Sequence, residues 1–211
     1  MIFFVKKFIS INNTVKNYKK IVKVESDKSI SIRSLIFAAL ANKTSKIKNL
    51  LESEDVISTI RCLRLLGVKI KKKNKIFIIN GVGINGFKFR KKLILNAGNS
   101  GTLARLIVSI LVKSPYKIKL IGDRSLSKRD FGRIVDPLTK FGIKFYPKNK
   151  TRLPLFFKKI KENKSHKFLE KKGSAQVKSA IMLASLNFKN VTKIIAKKSR
   201  NHTENFFKFL K

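Results

Sequence analysis

Apolar positions along the chain follow two periods, and each period predicts a different kind of element. From Ile30 to about Ala41 the apolar residues recur every three or four positions, which is typical of a helix. The polar run from Glu25 to Ser29 precedes that helix and is rich in residues that cap helix starts. Around it, alternating and β-branched runs predict strands. The predicted elements up to residue 79 are strands at 2–11, 19–24 and about 46–50, a helix from about Asp55 to Leu66 that ends at Gly67, and a strand that begins at 68–70 and ends near Ile79.

The same order of elements recurs twice more along the chain. The clearest sign is the helix end and strand start at residues 65–70 (LLGVKI), which is matched at 140–145 (KFGIKF). The second copy comprises a strand at 93–95, a helix at 103–112, a strand at 117–121, a helix at 132–141 and a strand at 143–145. The third begins at 168–169, continues with a helix at 177–186, a strand at 191–196 and a helix start near His202, and stops at Lys211 before its last strands. Three such units predict a pseudo-symmetric α/β domain whose third unit is truncated.

A glycine-bearing loop, residues 95–105 (LNAGNSGTLAR), leads into an apolar helix. Gly98 and Gly101 allow a ligand to approach the backbone, and Ser100 or Thr102 can cap the helix. Free N–H groups and the dipole at the start of a buried helix favour a bound anion. One such loop is more often a strand–helix connection with nothing bound, so the prediction of an anion site depends on the other loops.

Three further polar loops occupy equivalent places beside the predicted helices, at residues 27–33, 122–132 and 173–176. The first carries Lys28, Ser29 and Arg33 at a helix start. The second carries a basic cluster that includes Arg129, and a guanidinium group suits a carboxylate or phosphate. Each loop alone is more often solvated or a helix cap. Together with Arg200, they indicate one face that would hold a small polyanionic substrate.

The overall charge is extreme but explains little by itself. The 211 residues include 50 Lys and Arg against 11 Asp and Glu, which gives a net charge of +39. Such a charge attracts polyanions. However, the lysines are spread along the whole chain among Ile, Phe and Asn, residue types that A/T-rich codons supply, so coding bias accounts for the charge equally well. No zinc finger, basic-region heptad or aromatic RNA-binding signature occurs, and a nucleic-acid partner is therefore not favoured.

Few features of the sequence indicate a cellular location or a cofactor. A single cysteine, Cys62, excludes a disulfide framework and fits a reducing compartment. Lys6 and Lys7 interrupt the apolar start too soon for a signal peptide, and no apolar run spans a bilayer, so we expect a cytoplasmic protein. The G-x-G-x-x-G segment at 81–86 lacks the following helix and acidic residue of a dinucleotide site, so we interpret it as a linker between units.

The loop motifs together resemble those of the 5-enolpyruvylshikimate-3-phosphate synthase family. The matching segments, in the family's order, are residues 27–31 with Arg33, 96–102 with Arg105, 122–123 with 125–126 and 128–129, 174–180 and 202–204. The resemblance covers nearly the whole chain but only the amino-terminal half of the family's enzymes. It implies a pseudo-threefold domain of repeated βαβαββ units, of the inside-out α/β barrel type, with repeats at about 25–85, 86–150 and 151–211. Residues 1–24 would be a strand segment that belongs with the second domain.

The resemblance also implies a transferase of aromatic amino acid biosynthesis. It would move the enolpyruvyl group of phosphoenolpyruvate to the 5-hydroxyl of shikimate 3-phosphate, with no metal or other cofactor. By position in the motifs, Lys28, Arg129 and Gln176 would be catalytic, and Lys28 could donate a proton. Shikimate 3-phosphate would be held by Lys28, Ser29, Arg33, Ser174, Ala175, Gln176 and Arg200, and phosphoenolpyruvate by Lys28, Gly101, Arg129 and Gln176. Cations suit an addition–elimination in which charge moves around a carboxylate and two phosphates.

Several departures from the family pattern leave alternatives open. Glu25-Ser26 replaces the usual Pro-Gly, Ile32 the usual His, and Asp130 the usual Pro. The family's carboxylate base and further cations lie in its second half, so we expect weak binding and poor turnover unless a separate chain supplies that half. An inactive folded remnant and a basic nucleic-acid-binding module stay as alternatives. The related transferase that acts on a UDP-sugar is disfavoured, because the loop at 122–132 lacks the cysteine usual there.

Overall fold

The computed structural model describes residues 26–160, 167–188 and 191–209. The strands predicted at 2–11 and 19–24, and with them the segment assigned to a second domain, lie outside the described residues. Within the described part, helices and strands alternate in three successive units. Each unit contributes one strongly buried helix.

The first unit places two helices against a three-stranded antiparallel sheet. Its elements are α1 (Lys28–Leu40), β1 (Thr44–Lys48), α2 (Glu54–Leu65), β2 (Lys69–Lys73) and β3 (Ile76–Asn80), with the sheet order β1-β3-β2. The prediction of one continuous strand from 68–70 to near Ile79 is wrong, because the chain forms two strands there. Asn74 and Lys75 have φ angles of +47° and +63°, and Lys73 pairs with Ile76, so the chain reverses in a two-residue hairpin turn. The turn lacks the usual glycine, which is why the sequence did not indicate it.

The second unit contains a four-stranded mixed sheet. Its elements are β4 (Ile94–Asn96), α3 (Gly101–Ile110), β5 (Ile118–Ile121), α4 (Arg124–Ser127), α5 (Gly132–Lys140), β6 (Ile143–Tyr146) and β7 (Leu155–Lys159). The sheet order is β4-β5-β7-β6, with β4 parallel to β5 and β7 antiparallel to both its neighbours. The sequence did not predict α4 or β7. Because β7 pairs within this sheet, the second unit extends to residue 159 instead of ending near 150. Insertion of β7 between β5 and β6 is a long-range pairing that local periodicity does not reveal.

The third unit repeats the start of the second. Its described elements are β8 (Lys167–Glu170), α6 (Ala175–Ser185), β9 (Lys193–Ala196) and α7 (His202–Phe209). The strands β8 and β9 are parallel, with Leu169 opposite Ile195, just as Leu95 lies opposite Leu120 in the β4–β5 pair. The predicted repetition of a strand, a glycine-bearing loop, a buried helix and a second strand is therefore confirmed for these two units.

The three buried helices α1, α3 and α6 form the interior, and α3 packs against both of the others. Nine of the ten residues of α3 are buried, since a helix that is apolar on nearly every side has no face to give to water. The strands instead alternate buried and exposed positions, with one face inward and the other outward. The longest described helix, α1, has 13 residues, and none of the described helices is long and apolar enough to cross a membrane.

The G-x-G-x-x-G segment is a loop after β3 and opens no helix. The backbone N–H of Val82 donates to the carbonyl oxygen of Ala39 at 2.9 Å, at the carboxyl end of α1. A Cβ atom at Gly81 would lie 2.1 Å from the carbonyl oxygen of Ala41, so only glycine permits this close approach. The glycines thus serve packing between the loop and α1, and the interpretation as a linker is confirmed.

Cys62 lies in the core, as its apolar helical surroundings predicted. Its side chain is 1% exposed, and its Sγ atom donates to the carbonyl oxygen of Asn96 at 3.3 Å. Burial raises the pKa of the Cys62 thiol to about 12. Because the thiolate is the reactive form, this cysteine is an inert packing residue near neutral pH.

The helix α2 offers a matched pair of leucines with which to test the core. Leu63 is fully buried, whereas Leu65 is 40% exposed on the same helix. We expect Leu63→Ala to lower the free energy of unfolding by about 2–5 kcal/mol, because it removes buried methyl groups and leaves a cavity. Leu65→Ala should change it by less than about 1 kcal/mol. Urea denaturation of both variants measures the difference, and equal losses would contradict this packing.

Candidate functional site

The buried helices α1, α3 and α6 begin in the same way. A side-chain oxygen at the residue before each helix accepts a hydrogen bond from the N–H three positions later. The bonds run from Ile30 N to Asp27 at 2.7 Å, from Leu103 N to Ser100 at 3.2 Å and from Val177 N to Ser174 at 3.3 Å. Of the two caps considered for α3, Ser100 is the one used. Each cap satisfies one free N–H group and leaves others at the helix end.

Two hydrogen bonds between helices align their amino ends. Gln176 Nε2 donates to Thr102 Oγ1 at 2.9 Å, which joins the first turns of α6 and α3. Arg33 Nη2 donates to Ser179 Oγ at 3.2 Å, which joins the second turns of α1 and α6. Because both bonds connect early turns, the loops that precede the three helices lie toward the same end of the domain.

Arg33 lies within this junction and not on an open surface. Its side chain is 3% exposed, and its guanidinium also donates to Thr203 Oγ1 at 2.9 Å and to the carbonyl oxygen of Ser29 at 3.1 Å. Burial lowers the pKa of Arg33, and the nearby charge of Arg200 lowers it further. The structure thus brings Arg200, an exposed residue, close to Arg33. Three protein oxygens hold the guanidinium, so Arg33 organises the helix ends.

Lys28 stands at the first position of α1, with about half of its side chain exposed. Its Nζ atom forms an ion pair with Asp55 Oδ2 at 2.6 Å, and Asp55 lies in the first turn of α2. A flexible, half-exposed ammonium can exchange such a partner at low cost, since exposed ion pairs contribute little to stability. Lys28 is therefore available to a ligand that reaches the start of α1.

Gly101 opens α3 between two guanidinium groups. A Cβ atom at this position would lie 2.7 Å from Arg105 Nη1 and 3.1 Å from Arg129 Nη1, so a side chain here would displace both. Arg105 donates to the carbonyl oxygen of Gly101 at 3.0 Å and lies 4.9 Å from the ring centroid of Phe131. Burial lowers the pKa of Arg105, and the charges of Arg129 and Arg133 lower it further. Positive charge is thus concentrated beside the free N–H groups of a helix start, where an anion is favoured.

The loop 122–129 reaches this helix start through Asp123. Its backbone N–H donates to the carbonyl oxygen of Gly98 at 2.9 Å, and its carboxylate accepts from Asn99 Nδ2 at 2.6 Å. The same carboxylate caps α4 by accepting from Leu126 N at 2.6 Å. The bond to Leu126 and then the bond to Asn99 lower the pKa of Asp123. These contacts explain how Arg129, just after α4, comes to lie beside Gly101.

The loop before α6 is held by a buried carboxylate. Glu170, 8% exposed, accepts from Lys172 N at 3.1 Å and from Ser174 N at 2.8 Å. This arrangement positions the half-buried Ser174, Ala175 and Gln176 at the start of α6.

Two departures from the family pattern have local explanations. Ile32 is fully buried and forms part of the core. The carboxylate of Asp130 accepts a hydrogen bond from Gly132 N at 3.0 Å. A side-chain hydrogen bond with Thr151, and after it the bond from Gly132, lowers the pKa of Asp130. Both residues serve packing or loop shape.

The candidate residues therefore form two groups that meet on α6. Gly101, Arg129 and Gln176 lie around the start of α3, while Lys28, Ser29, Arg33 and Arg200 lie around the start of α1. The sequence assigned no site role to Arg105, Thr203 or Asp55, and it considered Thr102 only as a helix cap. The signals for Thr102 and Arg105 were their places in the glycine-bearing loop, whereas the contacts of Thr203 and Asp55 are long-range.

The described residues contain no group of three or more His, Cys, Asp and Glu side chains arranged to hold a metal ion. The chemistry available at these helix ends is instead that of guanidinium, ammonium, hydroxyl and amide donors. Such donors bind carboxylates and phosphates.

Comparisons with known proteins identify a family that this chain resembles along most of its length. The model of the family EPSP synthase (3-phosphoshikimate 1-carboxyvinyltransferase) matches residues 12–211. Curated 3-phosphoshikimate 1-carboxyvinyltransferases from Streptococcus pyogenes serotype M1 and from Pseudomonas sp. (strain PG2982) are each 41% identical, over 87% of this chain. The matches cover 43% and 41% of those relatives, so the chain spans less than half of their length.

A solved structure agrees with the fold. An EPSP synthase from Acinetobacter baumannii superposes with a TM-score of 0.81 and 35% sequence identity, over 89% of this chain and 42% of that one. The family resemblance and the pseudo-threefold α/β fold that it implied are confirmed.

The depressed pKa of Asp123 predicts how acid affects this loop. A carboxylate with a lowered pKa in the folded state stabilises the fold above its unfolded-state pKa and loses that contribution as the pH falls toward the folded-state value. Asp123→Asn should therefore lower the urea midpoint at pH 6, and the deficit should shrink between about pH 5 and pH 3. Asp136→Asn is the matched control, because Asp136 is exposed in the middle of α5 and cannot cap a helix. A deficit that does not change with pH would rule out a contribution of the ionised carboxylate, since an asparagine at this position can still cap α4.

Proposed function

This chain belongs to the EPSP synthase family, and we propose that it supplies part of an active site for enolpyruvyl transfer. The reaction would move the enolpyruvyl group of phosphoenolpyruvate to the 5-hydroxyl of shikimate 3-phosphate, a step of aromatic amino acid biosynthesis. The observation that carries the proposal is Gly101, which lies between the guanidiniums of Arg105 and Arg129 at a helix start bonded to Gln176 through Thr102. Since the relatives are more than twice as long as the matched region, the remaining groups would come from a carboxy-terminal half.

The two groups of residues suit the two substrates. We assign phosphoenolpyruvate to Lys28, Gly101, Arg129 and Gln176, where guanidinium and helix N–H groups favour its carboxylate and phosphate. We assign shikimate 3-phosphate to Lys28, Ser29, Arg33, Ser174, Ala175, Gln176 and Arg200. In this assignment Arg33 acts mainly by holding the backbone of Ser29 and the second turn of α6, because its donors already have protein partners. Arg200 is the exposed cation that meets the phosphate.

The chemistry that these residues assist is an addition followed by an elimination. The hydroxyl oxygen bonds to C2 of phosphoenolpyruvate as the hydroxyl proton departs and C3 gains a proton. Phosphate then leaves C2 while C3 loses a proton, which restores the double bond. Charge accumulates on the departing phosphate, and preorganised cations beside Gly101 stabilise it. Lys28 is the candidate donor of the proton, because its half-exposed ammonium group at the start of α1 is available to a ligand.

The reducing compartment inferred for the protein fits this role. Cys62 is the single cysteine of the chain and is buried in reduced form against Asn96. Such usage supports a cytoplasmic location. An inactive remnant that still folds would share all these features, so ligand binding and turnover are the tests.

Binding is tested with the chain itself by calorimetric titration of shikimate 3-phosphate and phosphoenolpyruvate together. We expect Arg129→Ala to weaken the binding of phosphoenolpyruvate roughly tenfold or more, because a charge-assisted hydrogen bond is lost. Arg124→Ala, on the exposed side of α4, removes the same charge and should leave the affinity within about twofold. Equal effects of the two variants would indicate that only the net charge matters.

Turnover is tested by combining the chain with the carboxy-terminal half of the Streptococcus pyogenes relative and measuring phosphate release. We expect Lys28→Met to lower kcat by about 10²–10⁴-fold and to alter the pH–rate profile, as the loss of a proton donor would. Lys72→Met is the matched control, since Lys72 is similarly exposed and pairs with Glu52 at 2.6 Å. A pH–rate profile unchanged by Lys28→Met would refute the donor role. The calorimetric binding of shikimate 3-phosphate would then still test the proposed site separately from that role.

A further inference from the structure

The outer face of the second sheet combines lysines with aromatic rings. In this sheet the buried residues alternate with outward ones, so β5, β6 and β7 present a single outward set. The basic and aromatic members of this set, with the residue before β5, form what we call the lysine–aromatic face: Lys117, Lys119, Lys144, Tyr146, Phe156 and Lys158.

The strand register sets the order of these side chains. Lys119 lies opposite Phe156, and Phe156 lies opposite Tyr146, so a cation and two rings form one row across three strands. In the next row Lys158 lies opposite Lys144. Neighbouring strands are about 4.8 Å apart, so successive side chains of a row are contiguous.

Three lysine ammonium groups of this face lie within cation–π distance of the two rings. Lys117 Nζ is 4.9 Å from the Tyr146 centroid and 5.4 Å from that of Phe156, and Lys144 Nζ is 5.2 Å from the Tyr146 centroid. Lys119 Nζ is 5.7 Å from the Phe156 centroid. Both rings are half-buried, and among the described residues flexible lysine side chains lie against them.

The charge of this face is not compensated within its own sheet. The four strands β4 to β7 contain no acidic residue, and none of the ion pairs described in the structure involves the six residues of the face. A positively charged sheet surface with aromatic rings among the cations is the arrangement on which unpaired bases stack while phosphates meet lysine.

We propose that the lysine–aromatic face binds single-stranded nucleic acid. The bases stack on Tyr146 and Phe156, displacing the ammonium groups that cover these rings, and the displaced lysines pair with the phosphates on either side. Stacking of a base on an aromatic ring is stronger than a cation over a solvent-exposed ring, so the exchange is favourable. The binding is tolerant of sequence, because every base presents a stacking surface.

Two other partners fit the face less well. An anionic membrane would require several apolar side chains that protrude into lipid, whereas Tyr146 and Phe156 are half-buried and the exposed apolar residue in their row is the single Ile94. Duplex nucleic acid keeps its bases stacked inside, so the rings would have nothing to bind. Both partners are arms of the experiment.

The first sheet provides a control surface of similar charge. On its outward face Lys46 and Lys71 lie on either side of Ile78, in register, and the outward residues of that sheet include no aromatic ring. If binding followed from net charge alone, both surfaces would contribute alike.

The experiment measures binding of the full chain to a labelled oligothymidine of about 12 nucleotides, a length within the range that single-strand-binding domains cover. Fluorescence anisotropy at several salt concentrations compares it with an oligouridine, an abasic oligomer, a duplex of equal length and anionic vesicles. The variants are Tyr146→Leu, Phe156→Leu, Lys119→Gln with Lys144→Gln, and the control Lys46→Gln with Lys71→Gln. Thermal unfolding shows which variants are folded. If Tyr146→Leu or Phe156→Leu does not fold, the lysine variants and the comparison with the abasic oligomer decide the result.

We expect the oligothymidine to bind at least fivefold more tightly than the abasic oligomer and the duplex, and Tyr146→Leu or Phe156→Leu to remove most of that preference. The double change at Lys119 and Lys144 should flatten the dependence of affinity on salt more than the control change does. Equal affinity for abasic and thymidine oligomers, equal effects of the two lysine pairs, or binding to vesicles alone would overturn the proposal. A preference for oligouridine over oligothymidine would identify RNA as the strand bound.

Discussion

The rest of the structure depends on the burial of three apolar helices side by side. The helices α1, α3 and α6 carry apolar or small residues on nearly every side, so they need cover all round, and the sheets supply it with one face each. Within the bundle, the bonds from Arg33 to Ser179 and from Gln176 to Thr102 align the helix ends. A buried polar group must be satisfied, so these bonds allow few alternative registers.

Alignment of the helix ends has an electrostatic consequence. Three sets of free N–H groups and several guanidiniums come together. Burial, and after it repulsion from neighbouring arginines, lowers the pKa values of Arg33 and Arg105. The loops that carry these groups are fixed by carboxylates, Asp123 in the second unit and Glu170 in the third. Asp123 and Glu170 thus serve to position loops, while the guanidinium groups beside the helix starts can meet anionic ligands.

Much of this could be predicted from the sequence, for identifiable reasons. The repeated helix ends and the glycine-bearing loops are local patterns, and they located all three buried helices and the loops before them. The hairpin turn at Asn74 was missed because it lacks glycine, and β7 because its partners, β5 and β6, are set by long-range pairing. The burial of Arg33 was equally hidden, since its partners Ser179 and Thr203 lie more than 140 residues away along the chain.

The repeated units, the capped helix starts and the residue types that could meet a carboxylate or phosphate follow from local sequence patterns, because each of these depends on neighbours a few positions apart. Which cations meet depends on how distant segments of the chain pack. The tertiary structure placed Arg129 beside Gly101, set Arg33 within the helix junction and gathered lysines with Tyr146 and Phe156 on one outer sheet face. These results depend on strand register and helix alignment, which are set by packing between units and not by local periodicity.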